Sequence, residues 1–298
     1  MERKEVNGVM EAEEVNDVIE KSGGVAAFFD LDGTLMPKPS MEKRFFWMLR
    51  YRRLIGIRNY FLWFAESLRL IPRGINQILH ANKMYLRDVR VDEEVCGRDI
   101  PVCLRAKNEA GKNRERRRHA RMPVPLFYPE AIERVAWHAE RGHLIAIVSG
   151  TLEPLAEGAA RSLEQELACR GTNASIEVCA TRVETMGGKW TGRTIGEAMF
   201  GEAKARTIRK VAVERGLDLK RCFAYGDKAT DRWLLETVGR PAAVNPSNDL
   251  ARIAHRNGWL VLRWGRGKLL TQRTQKSQRA GESGQGVQAV RAKSGFGI

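Results

Sequence analysis

The chain has 298 residues, of which 43% are hydrophobic and 29% are charged, so it is long enough to bury a sizeable core. Its net charge of +15 is unusual and unevenly spread: residues 1–24 are acidic, residues 41–128 carry net +11, and residues 263–298 carry net +7. Positive surface of this kind attracts phosphorylated substrates, nucleic acid or anionic lipid headgroups, although a solubilising face accounts for it equally well.

The cysteine and hydropathy patterns exclude several classes of protein. Five scattered cysteines without a C-x-x-C pair predict free thiols in a reducing compartment and no zinc site. The most apolar stretch, residues 45–71, is interrupted by arginines and a glutamate, so it lacks the uncharged run that a membrane-spanning helix needs. No secretory signal is recognisable in the acidic N-terminal residues. The prediction is a cytoplasmic protein, with peripheral contact to a membrane left open.

In chain order, residues 1–24 predict a short polar helix, and the apolar run at residues 25–29 predicts a buried strand that ends at Asp30. Helical patterns occupy residues 130–141 and 202–215, and a glycine closes each of them. Three further apolar runs, like the first, are followed directly by polar or glycine residues and predict buried strands; they lie at residues 144–148, 222–225 and 242–244.

Alternating buried strands and helices predict an α/β fold with a Rossmann-like, doubly wound parallel sheet. Because ligands bind beyond the carboxyl ends of such strands, Asp30, Ser149 and Asp227 are expected to converge there. The aromatic- and arginine-rich stretch between the first two strands predicts an inserted α-helical cap. The expected division is a polar helix (1–24), a catalytic core (25–36 and 129–264), a helical cap (37–128) and a basic disordered tail (265–298).

Two carboxylates, Asp30 and Asp32, follow the first strand within the segment FFDLDGTL. This spacing suits phosphoryl chemistry, since one carboxylate can attack phosphorus while the other handles the proton of the leaving group. Gly33 allows a sharp turn after the strand. A calcium loop is a poor alternative because residues 30–41 lack the later ligands and the closing glutamate. An ordinary turn is the other alternative for this segment taken alone.

Four segments in order resemble the motifs of the haloacid dehalogenase (HAD) superfamily of phosphatases. FFDLDGTL resembles the first motif, and LIAIVSGT, with Ser149, resembles the second. GEAKARTI contains Lys204, and AYGDKATDRWLL contains Asp227 and Asp231, as in the third and fourth motifs. The resemblance spans residues 25–264. The segment between the first two motifs is similar to the cap of the phosphoserine-phosphatase-like branch, subfamily IB.

The resemblance implies a phosphomonoester hydrolase that acts on a small-molecule or lipid phosphate through an aspartyl-phosphate intermediate. Asp30 would be the nucleophile and Asp32 the general acid and base. Mg²⁺ would be held by Asp30, by the backbone carbonyl of Asp32 and by Asp227. The expected phosphate-binding residues are Ser149, Gly150 and Lys204, and the expected supporting residues are Asp231, Gly33 and Thr34.

Two positions depart from the pattern of the superfamily. Lys228 stands where many relatives have a small residue, and either contact with substrate or a pair with Asp231 would account for it. Phosphoserine-specific enzymes carry a glutamate soon after the first motif, whereas Glu42 here is displaced. This displacement puts phosphoserine in doubt as the substrate.

The basic, aromatic-rich cap leaves an alternative function open. Residues 112–121 read KNRERRRHAR, and residues 45–64 are rich in tryptophan, tyrosine and phenylalanine. Basic residues among aromatics suit an anionic membrane face or nucleic acid, although no nucleic-acid-binding motif accompanies them. The other interpretation is an aromatic cap core with solvated charges. The alternative function is therefore a polyanion-binding protein on a HAD scaffold.

Overall fold

The computed structural model describes residues 23–74, 78, 80–91 and 126–265 of the chain. The strands in chain order are β1 (Ala26–Phe29), β2 (Leu144–Leu152), β3 (Ile176–Thr181), β4 (Val183–Met186), β5 (Lys189–Thr194), β6 (Phe223–Gly226), β7 (Arg240–Val244) and β8 (Leu260–Leu262). The α-helices are α1 (Met41–Tyr51), α2 (Ile57–Leu70), α3 (Pro129–Ala139), α4 (Glu153–Cys169), α5 (Glu202–Glu214), α6 (Arg232–Glu236) and α7 (Asn248–Arg256).

Six parallel strands form one sheet in the order β3-β2-β1-β6-β7-β8. Strand β1 is buried on both faces, which is why its sequence is apolar throughout. Ala27 and Phe29 pack in the layer of α3 and α4, whereas Ala26 and Phe28 pack in the layer of α5, α6 and α7. The predicted doubly wound α/β fold is therefore confirmed.

The predicted strands and helices that fall on the described residues agree closely with the observed ones, except at β2. Helix α3 begins with Pro129 and is followed by Gly142 at φ +65°, as the sequence signals suggest. Strand β2 continues four residues beyond its apolar run, to Leu152, and its register with β3 shifts between Ser149 and Leu152. This irregular extension carries polar residues of β2 past the end of the neighbouring strand β1.

The helical insertion between β1 and α3 consists of α1, α2 and short 3₁₀ turns in its described part. Its aromatic side chains divide between core and surface, since Phe45 is fully buried whereas Phe61 and Phe64 are exposed. Strands β4 and β5 form an antiparallel hairpin, and the insertion joins it where the Asp88 N–H donates to the Trp190 carbonyl. No helix of the described residues is long and apolar enough to cross a membrane.

The division of the chain into core, cap, polar helix and tail stays a prediction. Residues 1–22, 92–125 and 266–298 lie outside the described residues. The predicted N-terminal helix, the basic segment at residues 112–121 and the basic tail therefore fall almost wholly on residues without a structural description.

Candidate active site

The carboxyl ends of β1, β2 and β6 bring three predicted site residues to one edge of the sheet. Asp30 follows β1, Ser149 lies in β2, and Asp227 follows β6. The Asp30 N–H donates to the Tyr225 carbonyl at 2.9 Å, which fixes the end of β1 against β6. All three polar side chains are buried, so each needs a partner within the protein or a ligand.

Lys204 on α5 connects two of the carboxylates. Its Nζ donates to Asp30 Oδ1 at 2.6 Å and to Asp231 Oδ1 at 2.7 Å, and its side chain is buried. Although burial alone would lower the pKa of Lys204, the carboxylates of Asp231 and Asp30 raise it above its usual range. Lys204 is therefore a fixed positive charge at neutral pH.

Three acidic side chains crowd one position, since ligand oxygens of Asp30, Asp227 and Asp231 all lie within 4.8 Å of one another. Burial raises the pKa of Asp30 to about 7, against the lowering effect of Lys204. Burial and the charge of Asp231 likewise raise the pKa of Asp227. Such crowding of carboxylates destabilises their charged forms, and a divalent cation among them would remove the destabilisation.

The hydrogen bonds of these carboxylates separate their roles. Both oxygens of Asp231 accept hydrogen bonds within the protein: Oδ1 accepts from Lys204, and Oδ2 accepts from the backbone N–H groups of Asp227 at 3.2 Å and Lys228 at 3.0 Å. Asp227 is buried; its Oδ2 forms an ion pair with Lys38 Nζ at 2.9 Å, whereas its Oδ1 has no hydrogen-bond partner among the described residues. A buried carboxylate oxygen without a hydrogen-bond partner, such as this Oδ1, is a hard ligand that suits Mg²⁺. The residues present therefore fit the expected metal.

Asp32 occupies a different environment from Asp30. Its Oδ1 accepts from the Met41 N–H at 2.7 Å, at the first residue of α1, and its Oδ2 accepts from Thr151 Oγ1 at 2.8 Å. The side chain is half-buried and lines a cavity of about 790 Å³ in front of Asp30. The β2 extension and the insertion thus hold Asp32 from two sides.

The remaining predicted residues surround Asp30. Ser149 and Gly150 line the cavity, and Ser149 Oγ accepts from the Thr151 N–H at 3.2 Å. Thr34 Oγ1 is 3.4 Å from Asp30 Oδ2. Gly33 has φ +100°, and a side chain there would place its Cβ 2.3 Å from Asp227 Oδ2. Glycine at position 33 is therefore required both for the turn and for the approach of Asp227.

Sequence reasoning missed several residues of this site. It assigned no role to Thr151, although LIAIVSGT contains it, or to Lys38, which only the fold brings to Asp227. For Lys228 it left two roles open. The backbone N–H of Lys228 bonds to Asp231, and its exposed side chain lines the cavity mouth.

Comparisons with known proteins agree with this architecture. The family model of haloacid dehalogenase-like hydrolases matches residues 27–236. A Mycobacterium tuberculosis protein named as a probable phosphatase is 30% identical over 83% of this chain and 78% of its own length. A phosphoserine phosphatase of the same organism is 27% identical over 78% of this chain and 69% of its own length.

Among solved structures, a protein of unknown function from Bordetella pertussis Tohama I superposes with a TM-score of 0.56. It is 26% identical, and the match covers 81% of this chain and 99% of that one. The family match spans more than half of the sequence and includes the strands that carry Asp30, Ser149 and Asp227. The chain belongs to the haloacid dehalogenase-like hydrolases and is a phosphatase.

Proposed function

We propose that this phosphatase hydrolyses phosphate monoesters with Mg²⁺ through an aspartyl-phosphate intermediate on Asp30. The supporting observation is the buried Asp30 carboxylate at the cavity floor, which accepts from the ammonium of Lys204 and has a ligand oxygen within 4.8 Å of an oxygen of the buried Asp227. Asp32 lies on the same cavity wall but is held by Met41 and Thr151 rather than by Lys204. The two carboxylates therefore have the separate environments that a nucleophile and a proton carrier require.

In the first step, an Asp30 oxygen attacks phosphorus and the bond between phosphorus and the alcohol oxygen breaks. Asp32, in its protonated form, gives its proton to the departing oxygen. Lys204, Ser149 and the backbone N–H of Gly150 offset the negative charge of the phosphoryl oxygens. Mg²⁺ held by Asp30 and Asp227 would supply further positive charge to the phosphoryl group.

In the second step, Asp32 takes a proton from a water molecule as that water attacks phosphorus. The bond between phosphorus and Asp30 then breaks, and inorganic phosphate and the free carboxylate are released. Asp32 ends protonated, ready to serve the next alcohol oxygen. Asp231 holds Lys204 in place throughout, because it accepts from the same ammonium group.

Substitution of the nucleophile tests the proposal. Asp30→Asn removes the attacking carboxylate but keeps its shape, so hydrolysis of a generic aryl phosphate should fall at least 1,000-fold, about 4 kcal/mol of transition-state stabilisation. Asp249→Asn, on the exposed face of α7, should keep wild-type activity. Hydrolysis by Asp30→Asn at the wild-type rate would overturn the proposal. If the wild type binds polyanions but hydrolyses no phosphate ester, the binding-protein alternative is favoured.

Metal binding is tested separately from turnover. Asp227→Asn replaces one carboxylate oxygen by an amide NH₂ group, so Mg²⁺ affinity measured by titration calorimetry should fall about tenfold or more. Asp249→Asn again serves as the control. Equal Mg²⁺ affinity in wild type and Asp227→Asn would contradict the assignment of Asp227 as a ligand.

A second proposal concerns the lipid-phosphate and membrane interpretation of the insertion. Helix α2 presents an exposed apolar stripe at the spacing of one helical face, formed by Ile57, Phe61, Phe64 and Leu68. Exposed arginines flank it at Arg50, Arg53 and Arg58. Apolar residues beside arginines suit the surface of an anionic membrane, where the apolar face enters the headgroup region.

Vesicle co-sedimentation tests this second proposal. The wild type should pellet with phosphatidylserine-containing vesicles and less with neutral ones. Phe61→Ser combined with Phe64→Ser should reduce pelleting, whereas Val213→Ser, at an exposed apolar position on α5, should not. Equal, negligible pelleting with both vesicle types would overturn it.

A further inference from the structure

The cavity in front of Asp30 is much larger than a phosphoryl group, so most of it is available to the alcohol part of the substrate. Its volume is about 790 Å³. Its floor is formed by Asp30, Asp32, Ser149 and Lys204, where the phosphoryl group would lie. Its other walls come from α1, α2 and the segment before α5, and these walls determine which alcohols fit.

Aromatic rings dominate those outer walls. Phe46, Tyr60 and Trp63 project from α1 and α2, and Phe46 meets Tyr60 edge-on with ring centroids 6.4 Å apart. On the opposite side, the rings of His80 and Phe200 stack with centroids 3.7 Å apart. Aromatic surfaces of this kind bind apolar groups by removing them from water.

His80 adds no charge to this wall at neutral pH. Burial and the positive charge of Lys83 together lower the pKa of His80 to about 4. Its ring is therefore neutral and acts as one more flat surface beside Phe200. The aromatic wall is uncharged as a whole.

Glu42 is the one carboxylate among the described lining residues outside the phosphoryl end, and it is already paired within the protein. Lys83 Nζ donates to both of its oxygens, at 2.6 Å and 2.8 Å, and Tyr85 Oη donates to Oε1 at 2.7 Å. Lys83 is only 1% exposed, and Glu42 supplies the counter-charge that a buried ammonium group requires. The charge of Glu42 is therefore already neutralised by Lys83, so Glu42 would attract an ammonium group of a substrate only weakly.

Apart from Lys204 at the floor, the cations among the described lining residues lie at the cavity mouth rather than against the aromatic wall. Lys43 and Lys228 are both exposed, and Lys43 Nζ lies over the Trp47 ring, 5.3 Å from its centroid. Exposed charges are screened by water and salt, so they attract the phosphate during approach but hold an anionic alcohol weakly.

We infer, on the basis of the proposed function, that this site selects phosphate monoesters of uncharged, apolar alcohols and discriminates against alcohols that carry an ammonium group. Phe46, Tyr60 and Trp63 would contact the alcohol, and Lys83 and Tyr85 keep Glu42 from the substrate. Phosphoserine, the substrate named for one mycobacterial relative, would then be a poor substrate here.

A series of substrates tests this inference with the Mg²⁺-loaded wild type. The value of kcat/KM should rise about fourfold per methylene from ethyl to hexyl phosphate, the equivalent of about 0.8 kcal/mol per buried methylene. Phenyl and naphthyl phosphate form a second arm, which distinguishes an aromatic from an alkyl alcohol. Phosphoserine and phosphoglycolate should fall below ethyl phosphate. A flat alkyl series, or a preference for phosphoserine or phosphoglycolate, would overturn the inference.

Two variants of the aromatic wall locate the selectivity. Phe46→Ala and Trp63→Ala should each lower the ratio of kcat/KM for hexyl over ethyl phosphate at least fivefold. Ile195→Ala, at an exposed apolar position after β5, should keep the wild-type ratio. An unchanged ratio in both wall variants, with folding verified by circular dichroism, would place the alcohol elsewhere.

The Glu42–Lys83 pair supplies an independent test. The double variant Glu42→Gln with Lys83→Met removes both charges together, so the ratio of kcat/KM for phosphoserine over ethyl phosphate should not change. A selective loss of phosphoserine hydrolysis would show that Glu42 binds the substrate and would overturn the inference. Failure of the proposed function looks different, because the wild type would then hydrolyse none of these esters in a manner dependent on Asp30.

Discussion

At the residue scale, Gly33 shows most directly how the turn after β1 makes room for the site. Its φ of +100° lies in a region that side chains rarely adopt, and its α-carbon faces the carboxylate of Asp227. The residue thus serves both the backbone conformation and the close approach of Asp227. The two contributions can be separated by comparison with a glycine that has only the first.

Gly33→Ala should lower both stability and metal affinity. The added Cβ would lie 2.3 Å from Asp227 Oδ2, so this carboxylate must move. We expect a loss of about 1–2 kcal/mol from the backbone conformation and a fall in Mg²⁺ affinity of about tenfold. Urea unfolding and titration calorimetry measure the two effects.

Gly142→Ala is the matched control for this change. Gly142 also has a positive φ, +65°, but no atom lies within 4 Å of its added Cβ. This variant should show the loss of stability without the loss of Mg²⁺ affinity. Unchanged Mg²⁺ affinity in Gly33→Ala would contradict the role assigned to this approach.

At the element scale, the Glu42–Lys83 pair connects α1 to the 3₁₀ turn that begins at Met84. Glu42→Gln should destabilise the protein by about 2–3 kcal/mol, because it leaves the buried ammonium of Lys83 without its counter-charge. Lys83→Met should cost less, since Glu42 is 23% exposed and water can solvate its carboxylate. Urea unfolding at pH 7 measures both.

The double variant completes this cycle. Glu42→Gln with Lys83→Met should cost less than the sum of the two single changes by about 1 kcal/mol or more. Additive losses would mean that the two side chains do not stabilise each other, despite their contact. Tyr85 also donates to Glu42, so Tyr85→Phe in the double variant should have only a small further effect.

The same pair shows why part of the site could not be predicted from the sequence. The strands could be predicted, because parallel strands buried on both faces leave continuous apolar runs that end at Asp30 and Ser149. Contacts between side chains of distant segments leave no comparable pattern in the sequence. Glu42 and Lys83 are 41 positions apart, and Thr151 reaches Asp32 only because β2 continues past its apolar run.

At the scale of the whole molecule, a cluster of polar side chains on the α3 side of the sheet supports the edge of the sheet that carries Asp30 and Asp227, called here the catalytic edge. His138 is fully buried; its Nε2 lies 2.9 Å from Tyr225 Oη and its Nδ1 lies 2.8 Å from His143 Nδ1. Tyr225 stacks on Phe29, with ring centroids 4.4 Å apart. Phe29 directly precedes Asp30, and Tyr225 lies two residues before Asp227, so this cluster supports both strand ends.

Acid should destabilise the protein through this cluster. Burial, together with the charges of His143, Arg134 and Arg141, lowers the pKa of His138 to about 3. The unfolded chain, with a histidine pKa of about 6.5, binds a proton that the folded chain does not. The resulting stability is present above about pH 6.5 and is lost as the pH falls toward 3. The loss is about 1.4 kcal/mol per pH unit, or about 3 kcal/mol by pH 4.

His138→Gln tests this dependence, because glutamine can still bond to Tyr225 but cannot take up the proton. The free energy of unfolding in urea, measured between pH 7 and pH 4, should fall less steeply for this variant than for the wild type. His255→Gln, at an exposed position on α7, should keep the wild-type slope. The comparison uses the slope rather than the absolute stability, so a general weakening of the core by the substitution does not affect it. Parallel slopes for His138→Gln and the wild type would show that the acid sensitivity lies elsewhere. A shallower slope would mean that the support of the catalytic edge depends on an uncharged His138.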